Sequence, residues 1–219
     1  MVVLGVSGWK KSGKDTLADF LINKEGYERV AFADVLKEIT AETYGLDKNI
    51  FYNQSVKEAP IKSLPVNPKD EFTKTIANFM EKEFRTEDGK IGCILSDRLY
   101  WTPRALLILE GSIKRAVNCD FWVQKTFNKI QEIQKNENKY RFVITDLRYK
   151  NEMESLVDIF GDRFVSCRVN RFETVDSTDP SERDLDEAEF DFTIGNRSSL
   201  DDFLEEVENL ASIIEEYHL

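Results

Sequence analysis

The chain has 219 residues, of which 41% are hydrophobic, and its formal net charge is −11 at pH 7. This length and apolar content suit one large α/β domain with a core, while the acidic charge argues against nonspecific nucleic-acid binding. The apolar runs are short, so we expect no membrane span and no signal peptide. Three scattered cysteines and one histidine argue against a His or Cys metal cluster and favour a reducing cytoplasm.

A glycine-rich stretch at residues 5–16 lies between a predicted buried strand at 2–6 and a helical pattern that begins at Lys14. Gly8 and Gly13 allow the backbone to turn so that successive N–H groups point at one anion. The helix adds its positive N-terminal end, and Lys14 can reach the β- and γ-phosphates of a nucleotide. The stretch therefore predicts a phosphate-binding loop, although an ordinary turn before a solvated helix would use similar residues.

The residue after the loop lysine departs from the usual pattern. A Ser or Thr hydroxyl normally ligates Mg²⁺ there, but this chain has Asp15, followed by Thr16. A carboxylate at that place would repel phosphate unless a metal or another cation lies between them. We therefore expect Asp15 to reach Mg²⁺ through its water shell.

The next elements predict a parallel sheet with helices on its faces. We expect a helix at residues 14–24 ended by Gly26, a strand at 27–32, and a helix at 35–44 with Asp34 as its N-cap. Ligands bind beyond the carboxyl ends of such strands, which puts Lys37 beside the phosphate-binding loop. Lys37 fits a ligand role and a solvated helix position equally well.

Residues 48–99 contain three prolines, a predicted amphipathic helix at 70–84 and a polar turn at 85–92. We interpret this region as an insertion that covers the cleft. Thr102 and Pro103 then begin a helix, as N-cap and first helical residue. Arg104, in the first turn, suits either a phosphate group or a surface ion pair, and Gly111 interrupts the helix pattern through a close approach or a simple kink.

Another helix is predicted at residues 120–136, where Trp122 could stack on a base but is better explained as core. A clear strand at 140–145 ends before Asp146. A carboxylate in that place typically orients Mg²⁺ or its waters. Arg148 could neutralise phosphate charge, and Glu152, four residues later, could bind ligand or form an ion pair with Arg148.

The last part begins with a strand at residues 164–169 and an acidic stretch at 172–189, which we predict to be a loop or short lid. A short strand at 192–194, a turn at 195–199 and a helix at 200–217 follow. The helix has an apolar stripe at helical spacing, which indicates core packing; its members are Leu200, Phe203, Leu204, Val207, Leu210, Ile213, Ile214 and Tyr217.

Six ordered segments together resemble bacteriophage deoxynucleoside monophosphate kinases, a P-loop family. The loop carries that family's Asp in place of Ser or Thr, and the segments are residues 7–16, 32–37, 102–104, 120–123, 145–152 and 191–196. The lid departs from the resemblance, because this chain has Asp-Pro-Ser-Glu at 179–182 where His-x-Ser-Glu is common.

The resemblance implies a three-layer P-loop α/β fold in one domain of residues 1–219, with a core at 1–47 and 120–219, an acceptor-binding insertion at 48–119 and a lid at about 171–189. It implies transfer of the ATP γ-phosphate to a deoxynucleoside monophosphate with Mg²⁺, in a host cytoplasm. A homodimer is also compatible with it.

The resemblance also implies residue roles. The ATP-binding set would be Gly8, Lys10, Lys11, Ser12, Gly13, Lys14, Asp15, Thr16 and, near adenine, Asn196. The acceptor set would be Leu36, Lys37, Arg104, Gly111, Trp122, Asp146, Arg148 and Glu152. Lys14, Arg148 and Asp146 would be catalytic, with Asp15 and Asp146 reaching Mg²⁺ through water.

Two other classes of protein fit parts of the pattern. One is a P-loop kinase of another phosphorylated metabolite, such as phosphomevalonate or dephospho-coenzyme A, which the loop does not exclude. The other is a nucleotide-binding switch without an acceptor. Against the switch stand the insertion and the additional cations Lys37 and Arg104, which the donor nucleotide does not need.

Overall fold

The computed structural model describes residues 1–65, 93–95, 98–171 and 183–218. The predicted helix at 70–84, the turn at 85–92 and much of the predicted lid lie outside these residues. The chain divides into two compact units, residues 1–33 with 120–219 and residues 34–119.

In chain order, the described strands are β1 (Val2–Ser7), β2 (Glu28–Val30), β3 (Cys93–Leu95), β4 (Arg98–Tyr100), β5 (Arg141–Ile144), β6 (Phe164–Arg171) and β7 (Phe192–Asn196). The described α-helices are α1 (Lys14–Glu25), α2 (Phe32–Tyr44), α3 (Asn49–Tyr52), α4 (Pro103–Val117), α5 (Phe121–Glu137), α6 (Lys150–Phe160) and α7 (Leu200–His218). A 3₁₀ turn at Gly161–Arg163 joins α6 to β6.

The first unit is built on a five-stranded sheet in the order β2-β5-β1-β6-β7, and all its pairs are parallel. β1 is central, with Val2 opposite Arg141 on β5 and Val3 opposite Phe164 on β6. Its residues are all buried, because a parallel strand in the middle of a sheet is covered on both faces. The predicted α/β fold with a parallel sheet is confirmed.

Helices cover the two faces of this sheet. Alternate residues of β1 pack in one core cluster with residues of α1 and α7, including Leu4, Leu17 and Val207, each 0% exposed. α6 contacts β6, and α5 contacts α6. Gly5 interrupts the apolar run of β1 because a Cβ there would be 2.8 Å from the Phe164 ring.

The second unit contains the antiparallel pair β3 and β4 and the helices α3 and α4. The side chain of Thr102 accepts a hydrogen bond from the Ala105 amide (3.2 Å) and Pro103 begins α4, so the predicted helix start is confirmed. A cluster around Trp101, Leu106 and Leu109 forms the core of this unit.

Four sequence predictions are corrected. Strand β2 is shorter than predicted, and α2 begins at Phe32, so that Asp34 lies in its first turn and is not the N-cap. Strand β7 continues through Gly195 and Asn196, which were predicted to be a turn. On α7, Leu200 and Ile213 are 60% and 40% exposed, so the apolar stripe is only partly core.

Candidate functional site

The loops that follow β1, β2 and β5 meet at one edge of the sheet. These strands are parallel and adjacent or nearly so, with carboxyl ends at Ser7, Val30 and Ile144. The glycine-rich loop, the start of α2 and Asp146 therefore lie at the same edge of the sheet. Open α/β sheets bind ligands beyond the carboxyl ends of their strands, at the point where the strand order reverses.

The glycine-rich loop has a backbone that depends on its glycines. Gly8 and Gly13 have φ values of 144° and 112°, and Lys11 between them has a φ of 65°. A Cβ on Gly8 would be 2.4 Å from the Val169 carbonyl oxygen, and one on Gly13 would be 2.6 Å from the Asn196 amide nitrogen. The loop is thus held close to β6 and β7, in the strongly curved conformation that a phosphate-binding loop needs.

Lys14 is the first residue of α1, and its side chain folds back over the loop. Its ammonium group donates hydrogen bonds to the carbonyl oxygens of Gly8 (2.6 Å) and Trp9 (2.9 Å). The Ser12 amide also donates to the Trp9 oxygen, at 3.0 Å. The positive charge is therefore fixed at the mouth of the loop, beside the N-terminus of α1.

Two side chains from later strands brace the same loop. The Asn196 amide donates to the Ser12 carbonyl oxygen (2.9 Å), and the Arg171 guanidinium donates to that of Lys11 (3.3 Å). Sequence reasoning placed Asn196 near adenine, and it did not identify this contact. The Ser12 hydroxyl is buried and has no hydrogen-bond partner among the described residues.

A cavity of about 350 Å³ adjoins the loop on its β6 side. Its lining contains three cations and one carboxylate; it includes Trp9, Lys10, Ser12, Arg168, Arg171 and Asp186. A cleft with three cations can hold a polyanion even in an acidic protein, because ligand binding depends on the local electrostatic field and not on the net charge.

Asp146, just beyond the end of β5, is the N-terminal cap of α2. Its two carboxylate oxygens accept hydrogen bonds from the amides of Phe32 (2.9 Å) and Ala33 (2.8 Å). A carboxylate satisfies two orphan donors there and complements the helix dipole. The sequence assigned this capping role to Asp34.

Glu152 has a related role at the start of α6. Its Oε2 accepts hydrogen bonds from the amides of Arg148 and Tyr149, both at 3.0 Å, and the residue is 3% exposed. The carboxylate therefore fixes the backbone that carries Arg148, whose side chain is exposed. The sequence allowed Glu152 either to bind ligand or to pair with the Arg148 side chain, and the structure shows that it also holds the Arg148 main chain.

The second unit holds the predicted acceptor residues Leu36, Lys37, Arg104 and Gly111. Lys37 donates to Asp34 (2.9 Å) and lies 4.3 Å above the Tyr52 ring, and Arg104 is paired with Glu58. Gly111 packs against Leu36, and a Cβ at Gly111 would be 3.6 Å from that side chain, an ordinary contact distance. The packing at this position therefore does not require glycine.

Trp122 and Cys167 are both buried. Trp122 is 2% exposed and meets the Phe121 ring edge to face at 4.9 Å, so the core interpretation is confirmed. Burial raises the pKa of the Cys167 thiol to about 12, so that it is not a nucleophile at neutral pH.

The described residues contain neither a cluster of metal-binding side chains nor a helix that could span a membrane. Within residues 1–65, 93–95, 98–171 and 183–218, no group of three or more His, Cys, Asp or Glu side chains could hold a metal ion. Over the same ranges, no helix is long and apolar enough to cross a membrane.

Replacing Gly8 with Ala should strongly destabilise the fold. The new Cβ would meet a backbone oxygen and force a φ of 144° on an L-residue, so we expect a loss of at least about 3 kcal/mol in unfolding free energy. Gly26 is the control, because its φ is 67° and nothing lies within 4 Å of its Cβ position; alanine there should cost about 1–2 kcal/mol. Urea denaturation measures both, and equal losses would contradict the packing argument.

Replacing Asp146 with Ala should lower the unfolding free energy by about 1–3 kcal/mol, because the Phe32 and Ala33 amides lose their acceptor. Asp34→Ala tests the cap that the sequence predicted. It breaks a partly exposed pair with Lys37 and should cost less than about 1 kcal/mol. A larger loss for Asp34→Ala would show that the cap is misassigned.

A mimivirus protein is similar to this chain over nearly its whole length. It comes from Acanthamoeba polyphaga mimivirus, has the name "Putative deoxynucleotide monophosphate kinase", and is 26% identical over 218 residues, or 94% of each chain. No protein-family model matches.

Two solved structures have similar folds. Dephospho-CoA kinase from Campylobacter jejuni has 16% identity and a TM-score of 0.48, with 97% of this chain and 96% of that chain covered. The protein TT1252 from Thermus thermophilus has 15% identity and a TM-score of 0.45, with 98% and 97% covered.

Proposed function

We propose that this protein is a deoxynucleoside monophosphate kinase, which transfers the γ-phosphate of ATP to a dNMP and releases ADP and dNDP. One observation carries the proposal: the glycine loop between β1 and α1, with the Lys14 ammonium held 2.6 and 2.9 Å from two loop carbonyls. The full-length mimivirus relative supports a kinase of nucleotides or other small molecules. The choice of deoxynucleotides comes from the sequence resemblance.

The donor would bind at the loop. ATP phosphates fit the curved backbone because the amides of such a loop and the α1 N-terminus favour an anion. The buried, unpartnered Ser12 hydroxyl is a further donor in the same loop. The Lys14 ammonium would bind phosphate oxygens from its position at the loop carbonyls, and Lys10, Lys11, Gly13 and Thr16 complete the set, with Asn196 towards adenine.

The acceptor monophosphate would bind the cations Lys37 and Arg104, with Leu36, Gly111 and Trp122 towards the nucleoside. Both cations now have carboxylate partners, Asp34 and Glu58. Such partly exposed pairs contribute only about 0–1 kcal/mol, so a phosphate dianion can replace the carboxylate. Trp122 would have to be uncovered before its ring could stack on a base.

Phosphoryl transfer requires in-line positioning and neutralisation of charge more than a covalent nucleophile. We assign the neutralisation of the transferring group to Lys14 and Arg148. Glu152 would support Arg148 through its backbone, and Asp146 would hold the start of α2.

Magnesium fits these residues as an ion carried by the nucleotide. Mg²⁺ keeps several waters and uses one or two carboxylates with phosphate oxygens, which agrees with the lack of a three-carboxylate group among the described residues. Asp15, exposed in the first turn of α1, and Asp146 would bind those waters. The ion would supply charge neutralisation at the β- and γ-phosphates.

The test is ADP production from ATP and Mg²⁺ with each deoxynucleoside and ribonucleoside monophosphate in turn. The proposal expects strong stimulation by at least one deoxynucleotide and weaker stimulation by its ribose counterpart. A protein that binds ATP but responds to none of them would disprove the nucleotide kinase. Stimulation by another phosphorylated metabolite would move it to a different kinase class. Phage origin and a homodimer stay predictions.

A further inference from the structure

One carboxylate gathers several donors beside the phosphate-binding loop. Asp186 Oδ1 accepts hydrogen bonds from the Trp9 indole N–H (2.9 Å) and from Arg168 Nη2 (2.5 Å). Arg183 Nε lies 3.8 Å from the other oxygen. The Arg168 side chain is only 12% exposed, so Asp186 also neutralises a cation that is largely withdrawn from water.

Trp9 connects this carboxylate to Lys14. Its side chain donates to Asp186, while its main-chain oxygen accepts from the Lys14 ammonium and from the Ser12 amide. Rotation of the Trp9 residue would therefore move one of the two carbonyl oxygens that hold Lys14. The path from Asp186 to the loop lysine passes through one residue.

The segment that carries Asp186 is anchored by contacts of its neighbouring residues. Leu185, its neighbour, is 2% exposed, and the Leu185 carbonyl oxygen accepts a second hydrogen bond from Arg168, at 2.6 Å. Two residues before Asp186, Asp184 accepts from the Lys150 amide at the start of α6 (2.8 Å). The segment is thus anchored to β6 and to α6 independently of Trp9.

We propose that Asp186 is a positioning residue for the phosphate-binding loop: it fixes the Trp9 indole and, through the Trp9 carbonyl, the Lys14 ammonium. Asp186 acts on the loop and does not touch the reacting atoms. The nucleotide-binding part of this inference rests on the proposed function, whereas the contact with Trp9 can be tested without nucleotide.

The first experiment uses tryptophan fluorescence in the nucleotide-free protein. Trp101 and Trp122 are 7% and 2% exposed, whereas Trp9 is half-buried, so acrylamide quenching reports mainly on Trp9. Asp186→Ala should increase quenching, and Trp9→Phe should remove the quenchable component. Glu187→Gln is the matched control, since it removes a neighbouring exposed carboxylate and should change nothing. Unchanged quenching in Asp186→Ala would overturn the proposal.

The second experiment measures the Kd of a fluorescent ATP analogue. Asp186→Ala and Trp9→Phe should each raise it about tenfold, the size expected when a charge-assisted contact is lost. Because both remove the same contact, the double variant should be no worse than either single one. Additive losses, or no loss in either variant, would refute the positioning role.

Kinetics separate this role from a general loss of stability. In Asp186→Ala, KM for ATP should rise while KM for the monophosphate stays constant, and Asp186→Glu should restore part of the ATP affinity. If Asp186→Ala does not fold, Trp9→Phe tests the same contact from its other side, through its ATP affinity. If Asp186→Ala and Trp9→Phe change the quenching as expected but the wild-type protein has no kinase activity, only the proposed function is contradicted.

Discussion

Lys14→Met is expected to lower kcat by about three orders of magnitude while the fold survives. Methionine retains the length and apolar stem of lysine but has no charge and no donor. The wild-type ammonium is held by two loop carbonyls before any nucleotide arrives, so its position costs no reorganisation at the moment of transfer. Under the proposed function, its loss leaves developing charge on the transferring group without a fixed cation.

Steady-state kinetics with saturating ATP and monophosphate would measure this loss. Lys24→Met is the matched control, because Lys24 lies exposed in the last turn of the same helix, at the end remote from the loop. That variant should retain wild-type kcat. Circular dichroism would verify that both proteins are folded, and a folded Lys14→Met protein within a few-fold of wild-type kcat would remove Lys14 from the mechanism.

Arg148→Ala is expected to reduce kcat by about 10²–10³ with little change in stability. The backbone at this position is held by Glu152, which accepts from the Arg148 amide at 3.0 Å, so that truncating the exposed side chain leaves this anchor intact. The expected effect is therefore on charge in the transition state. Arg148→Lys should recover part of the rate, because it restores the charge without the planar fork.

Arg163→Ala provides the comparison for that experiment. Arg163 ends the 3₁₀ turn just before β6, at the amino edge of the sheet and remote from the loop. Its substitution should leave kcat and both KM values unchanged. Equal kinetics for the Arg148 and Arg163 variants would exclude Arg148 from phosphoryl transfer.

The local elements of the site were predictable because their signals lie within a few residues. Strand β1, the glycine loop and α1 follow one another, and Gly26 ends the helix with a φ of 67°, as predicted. Thr102 and Pro103 likewise specify the start of α4. The position of Asp146 beyond a central strand followed from the apolar run before it.

Long-range contacts were not predictable from the same signals. Asp34 is a good cap by sequence, but Asp146, more than a hundred positions later, takes that role because the parallel pairing of β2 with β5 brings it to the α2 amides. Asp186 and Trp9 are even farther apart along the chain. The residues around Asp186 in this acidic stretch give no indication that its carboxylate binds the Trp9 indole.

The order in which the phosphate-binding loop acquires its supports has a consequence for synthesis on the ribosome. The loop is made before the segments that support it: β1 needs β5 and β6 as neighbours, and the loop needs Asn196 on β7 and the Phe203 ring, 3.3 Å from the Cβ position of Gly13. Such non-local pairing delays folding until distant segments are available. A nascent chain therefore cannot complete this loop before α7 emerges, and a prematurely terminated product would lack a braced site for nucleotide.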